Sequence, residues 1–129
     1  MPSLRFLACA AIGLGLAGCS EADSDRQLQQ TRMAASWTST AVMLLDGWLS
    51  GAVPSHYARR TGQTVSTKLS GLQQGGADAG FRQQAQQITE TLRRAERGIE
   101  ASDLAAVETS RNALAAAASA FRNQARQRP

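Results

Sequence analysis

The chain is poor in the residues that carry most protein chemistry. It has one histidine, His56, and two cysteines, Cys9 and Cys19. A metal centre takes three or four His, Cys or carboxylate ligands, and no grouping with ligand spacing occurs. The C-x-x-C-H signature of covalent haem and the Glu-x-x-His pairs of di-iron bundles are both missing. A haem held by His56 with Met33 or Met43 is the formal remainder, but methionines at helical positions ordinarily serve packing. No metal and no cofactor are expected. No Gly-rich oxyanion motif and no strand-turn-helix elbow frame a serine nucleophile either, so an enzyme is not expected.

Charge, aromatics and apolar runs are equally sparse. The formal net charge of +4 is too weak to argue nucleic-acid binding by itself. Only 5% of residues are aromatic, so any surface that gathers them stands out. Beyond the first 18 residues they are Trp37, Trp48, Tyr57, Phe81 and Phe121. The apolar run Phe6–Ala17 is 12 residues long, whereas a membrane-spanning helix needs about 20.

That short run is informative because of its flanks. "MPSLR" precedes it with one positive charge, and "GCSEADSD" follows it, abruptly polar and acidic. A charged start and a 7–15-residue apolar middle are the layout of a secretory signal peptide. The segment Leu16-Ala17-Gly18-Cys19 then resembles the lipobox of bacterial lipoprotein precursors. It has leucine three before the cysteine and small residues at the next two positions.

The resemblance implies that Cys19 Sγ receives a diacylglycerol and that Leu16, Ala17 and Gly18 are read by the signal peptidase. The cut would fall between Gly18 and Cys19. Ser20, in place of the aspartate that retains such proteins at the inner membrane, implies an outer-membrane destination, on the periplasmic face. The motif covers only the first twenty or so residues, and the remainder resembles no family. A Cys9–Cys19 disulfide is excluded on this reading, because cleavage discards Cys9. A reactive thiol would want cationic neighbours, whereas Glu21, Asp23 and Asp25 are anionic. The expected division is a cleaved leader over 1–18, a lipidated polar tether over 19–26, a helical domain over 27–126 and a tail over 127–129.

Downstream of the tether the spacing is helical. Ala34, Trp37, Ala41, Leu44 and Trp48 repeat at 3-4 intervals, and Thr38, Val42, Leu45 and Leu49 form a second stripe beside them. Gly51 and Pro54 end that helix. A second helix starts at Pro54 or Ser55 and uses Ala58, Thr61, Val65, Leu69 and Leu72. Gly62, Gly71 and "TVSTKL" weaken it, and Thr64–Leu69 could pass for a strand, but no partner strand exists. Asp78 is a plausible N-cap for a third helix. Its seam is Phe81, Ala85, Ile88, Leu92, Ala95 and Ile99, with Gly98 loosening the last turn. Ser102 or Asp103 caps a fourth, with seam Leu104, Val107, Arg111, Leu114, Ala118, Phe121 and Ala125. Arg111 is the discordant member of that seam, and "RNQARQRP" is expected to fray. The fold class is all-α, a small antiparallel bundle of three to four helices, four favoured.

Two places invite function. Ser50 or Ser55 with His56 and Asp46 has the composition of a hydrolase triad, although nothing else supports one. The stretch "DGWLSGAVPSHYARR" brings Trp48, His56, Tyr57, Arg59 and Arg60 to one bundle corner. Aromatics and arginine are enriched at binding hot spots. The plainer alternative is that Trp48 plugs the bundle end and Tyr57 packs over it. The charged strip Glu90, Arg93, Arg94, Glu96, Arg97 and Glu100 reads as a solvated helix face of weak pairs. The expected role is a non-catalytic binding or assembly module of the cell envelope. It would be held to the membrane through Cys19 and contact an envelope protein or an anionic envelope component. The rivals are a carrier of a small apolar ligand inside the bundle and an enzyme centred on His56.

Overall fold

The computed structural model describes the backbone of residues 3–75 and 78–127, and side chains at residue 22 and from 24 onward within those ranges. Four helices account for it: α1 (Ser3–Leu49), α2 (Ser55–Gln74), α3 (Ala79–Glu100) and α4 (Leu104–Gln127). Among the described residues there is no strand, so the strand alternative at Thr64–Leu69 falls away and α2 runs unbroken.

Pairwise contacts set the topology. Moving along α1 from Gln30 to Trp37, the partners on α2 go backwards, from Gly75 to Lys68. Ser39 and Asp46 on α1 meet Arg122 and Arg111 on α4, again in reverse order. Gln63 and Arg59 on α2 reach Glu96 and Glu100 on α3. Neighbouring helices are therefore antiparallel, up-down-up-down, and α4 closes the ring against α1.

The seams do what their spacing requires. Every expected α3 position, from Phe81 to Ile99, is buried, as are Val107, Leu114, Ala118 and Phe121 of α4. Phe81 and Phe121 meet across the α3–α4 interface with ring centroids 5.8 Å apart. No buried side-chain nitrogen or oxygen is left without a hydrogen bond among the described residues. Thr31, Thr38 and Thr89 manage this locally, each donating its hydroxyl to the carbonyl four residues back, a known option for threonine in helices.

Caps mark the helix ends. Asp78 Oδ1 accepts from the Phe81 amide at 2.8 Å, and Asp103 Oδ1 accepts from the Ala106 amide at 3.1 Å. Asp103 is thus the cap of α4, and Ser102 has another task. At φ 53° it takes the left-handed position that ends α3. The Asp103 amide donates to the Gly98 carbonyl and the Ser102 amide to that of Ile99, the Schellman pattern.

Several expectations need correction. Residues 19–26, expected as a tether outside the helical domain, are helical, because α1 runs through them without a break. No Pro or Gly interrupts residues 20–46, and aspartate and glutamate ahead of a bundle are compatible with helix. The polar composition was the misleading signal. The tail likewise stays helical to Gln127. Leu104 is not a seam residue but 59% exposed, since it begins α4 before the helix has entered the bundle.

Gly98 does not loosen its turn. It is buried, and a Cβ there would lie 2.8 Å from Val107 Cγ2. The glycine lets α3 and α4 close together beside their shared loop. Gly71, by contrast, faces open space. Gly71→Ala is expected to raise stability by about 0.5–1 kcal/mol through helix propensity. Gly98→Ala is expected to lower it, because overpacking costs about 1–3 kcal/mol and Val107, fully buried and stiff at χ1, has nowhere to go. Opposite shifts in urea midpoint would verify this pair.

Candidate functional site

The corner between α1 and α2 is built by a tight fold-back. Gly47 carries no side chain, and Val53 packs onto it; a Cβ at Gly47 would lie 2.5 Å from Val53 Cγ2. The Ala52 and Val53 amides both donate to the Gly47 carbonyl. Gly51 turns the chain at φ 81°, a conformation that glycine adopts without penalty. Pro54 precedes α2 with extended backbone.

The corner is part plug and part surface. Trp48 is half-buried against the core, and its Nε1 donates to Ser55 Oγ at 2.9 Å. That pins the indole across the junction of the two helices, as the plainer alternative held. Tyr57 does not pack over it, being 58% exposed. His56 and Arg60 are exposed beside it. Arg59 is tied to Glu100 of α3 at 2.8 Å, while Arg60 forms no ion pair among the described residues. The exposed Leu104 belongs to the same bundle end, where α1 finishes, α2 begins and α4 begins. The end thus presents a tyrosine, a histidine, an arginine and a leucine to solvent. Leu104 was not legible as part of it, because its spacing places it in the α4 seam.

The triad composition is not assembled. Asp46 faces α4, where Arg111 Nε donates to Oδ1 at 2.7 Å and Nη2 to Oδ2 at 3.2 Å. Both carboxylate oxygens are engaged by one guanidinium, while Trp48 two residues on faces α2. The seam-breaking Arg111 is explained at the same stroke, since it is the α4 half of a fork that bridges α4 to α1.

Arg111 also sets the charge state of its partner. Its hydrogen bond holds the Asp46 carboxyl below the ordinary 3.8, against an upward push from burial, and its charge adds a smaller pull in the same downward direction. Asp46 in turn raises the guanidinium further above its already high value. A lowered carboxyl contributes stability that is complete above the unfolded value and is lost as pH falls through the folded one. Asp46→Asn is therefore expected to melt lower than wild type at pH 6–7, with the gap closing below about pH 4. Thermal melts across pH would check this; because the pair is partly solvated, the gap should be small and salt-sensitive.

The cavities are mostly surface features. A partly open cleft that runs from Arg59 and Glu96 to the core beside Leu44, Leu45, Leu92 and Ala95 measures about 20 Å³, room for about one water. At the opposite end from the corner lies a polar cleft of about 430 Å³ lined by Gln27, Gln30, Gln83, Gln84 and Gln124. Among the described residues no three His, Cys, Asp or Glu side chains come together in a way that could hold a metal. Leu16, Ala17, Gly18, Cys19 and Ser20 lie outside the residues whose side chains are described. Comparison with known proteins returns no family model, no curated protein and no solved structure that matches the chain.

Proposed function

We propose that the protein is a lipid-anchored envelope protein whose bundle is a spacer and docking module. Cys19 would carry the anchor, and the Tyr57–Arg60 corner would face a partner. The observation that supports this most is the continuity of α1 from Ser3 to Leu49. One helix joins the lipobox-like segment to the corner, with no hinge residue between Cys19 and Asp46. At 1.5 Å per residue, Cys19 and Trp48 stand about 45 Å apart. An anchor at Cys19 leaves the corner at the far end of the bundle.

This arrangement selects among partners. Headgroups of the anchoring membrane would lie a bundle length away from Tyr57 and Arg60 when the helix stands upright. The corner is better suited to another envelope protein, met above the membrane surface. Two or three acyl chains would be needed for firm attachment, since one gives only marginal binding. Among the described residues no helix is long and apolar enough to cross a membrane. The carrier reading has less support, because the cleft that reaches the core beside Leu44 and Leu92 holds about 20 Å³, too little for a ligand of several heavy atoms. An enzyme centred on His56 has no carboxylate from Asp46 to orient the imidazole.

Photocrosslinking residues placed at Tyr57 and Arg60 test the docking role in intact envelopes. Adducts of one defined mass from both positions, and none from Thr109 or Ala116 on the outer side of α4, would support it. Equal labelling from all four positions, or none from the corner, would remove it.

A further inference from the structure

A second charged feature lies between α1 and α4. Arg32 of α1 and Arg122 and Arg126 of α4 rim a groove of about 290 Å³ that also includes Ser36 and Ser39. Ala35 and Ala125 form its floor. Arg122 is held in place, with Nη1 donating to Ser39 Oγ at 3.0 Å and Nη2 to Ser119 Oγ at 3.4 Å. None of the three guanidiniums forms an ion pair among the described residues.

The acid content of the surrounding helices makes this unusual. Between Asp25 and Asp46, α1 has no Asp or Glu, and α4 has none after Glu108. Among the described residues the carboxylates on this side of α1 are Asp25, about 10 Å below Arg32 along the helix, and Asp46, which Arg111 holds. Three unneutralised cations therefore converge on a shallow alanine-floored groove. Guanidinium groups match phosphate oxygens in fork geometry, and the alanine floor suits the carbons attached to such a phosphate.

Position says which phosphate. Arg32 follows Cys19 by 13 residues, about 20 Å of helix, less than half the way to the corner. Arg126 lies at the end of α4 that runs back toward the same end of the bundle. We propose that this groove binds the phosphate of an anionic phospholipid in the membrane that carries the anchor, with the glycerol carbons over Ala35 and Ala125. Binding leans the bundle so that the end carrying Arg32 and Arg126 meets the headgroups, while the Tyr57–Arg60 corner stays at the far end. Each arginine brought to an anionic surface contributes attraction that fades within a Debye length. The proposal rests on the anchored reading for its source of lipid, but the groove itself does not need Cys19 to be modified.

Titration of the full chain in nonionic detergent with dihexanoyl phosphatidylglycerol, followed by NMR, tests it. Saturable shifts at Arg32, Arg122 and Arg126 are expected. Dihexanoyl phosphatidylcholine should bind at least tenfold more weakly, as should the Arg122→Gln/Arg126→Gln variant. Both variant positions are exposed, and unchanged circular dichroism would confirm that the fold persists. Arg94→Gln/Arg97→Gln, which removes the same charge from α3, should bind like wild type. Equal weakening by the two double variants would overturn the site in favour of general charge attraction. Inorganic phosphate or a polyglutamate peptide binding as tightly as the lipid would overturn the lipid assignment, as would a lack of saturation. A chain found without lipid on Cys19 would defeat the anchor and leave this titration standing.

Discussion

Phe121→Ala is expected to lower the free energy of unfolding by about 3–5 kcal/mol. The residue is 1% exposed, and its ring tilts against Phe81 with centroids 5.8 Å apart. It belongs to the end of the bundle where Gln27 and Gln30 of α1 lie and where the glutamine-lined cleft opens. Phe81, Ile88, Leu114 and Ala117 surround the same place, and side chains held in a packed core relax only partly into the space a phenyl ring leaves. A domain of this size typically has about 5–15 kcal/mol in all, so the variant should be close to unfolding at 37 °C. Urea denaturation followed by helical circular dichroism measures it. A loss under 1 kcal/mol would mean that the α3–α4 interface is not packed as described.

Cys19→Ala is expected to abolish incorporation of labelled palmitate and to leave the leader uncut. The reason is chemical, because no other cysteine remains after residue 19 and thioether formation needs a thiol. The bundle should fold unchanged, since among the described residues the apolar core begins at Ala34 and the first buried side chains are Gln30 and Thr31. Labelling of the variant at the wild-type level would mean that the acyl group sits elsewhere. Wild-type melting behaviour in the variant would separate loss of the anchor from loss of the fold.

The helices were readable because burial and spacing agree. In α3 each of Phe81, Ala85, Ile88, Leu92, Ala95 and Ile99 is both periodic and buried. In α2 the local signals of Gly62, Gly71 and "TVSTKL" opposed helix, and tertiary packing of Ala58, Val65 and Leu69 prevailed. Arg111 could not be read locally, because its reason is Asp46, 65 residues away. Residues 19–26 misled because their polarity placed them outside the helical domain, although nothing in them breaks a helix. The corner was legible by composition, but its division was not: Trp48 is pinned inward by Ser55, and Tyr57 turns outward. The groove of Arg32, Arg122 and Arg126 was invisible along the chain, since two helices far apart in sequence contribute its rim.

The continuity of α1 ties the two halves of the account together. A flexible tether would let the corner meet anything near the membrane. With a helix through residues 19–26, an anchor at Cys19 would belong to one end of the bundle. The corner and the arginine groove would then have different neighbours, a partner above and headgroups below.

The most direct measurement is the intact mass and N-terminal sequence of the protein extracted from membranes. The account predicts a mature chain whose first residue is Cys19, heavier than the polypeptide by a diacylglyceryl group and commonly a third acyl chain. A chain that still begins at Met1, or one that is cut elsewhere and bears no lipid on Cys19, would contradict it.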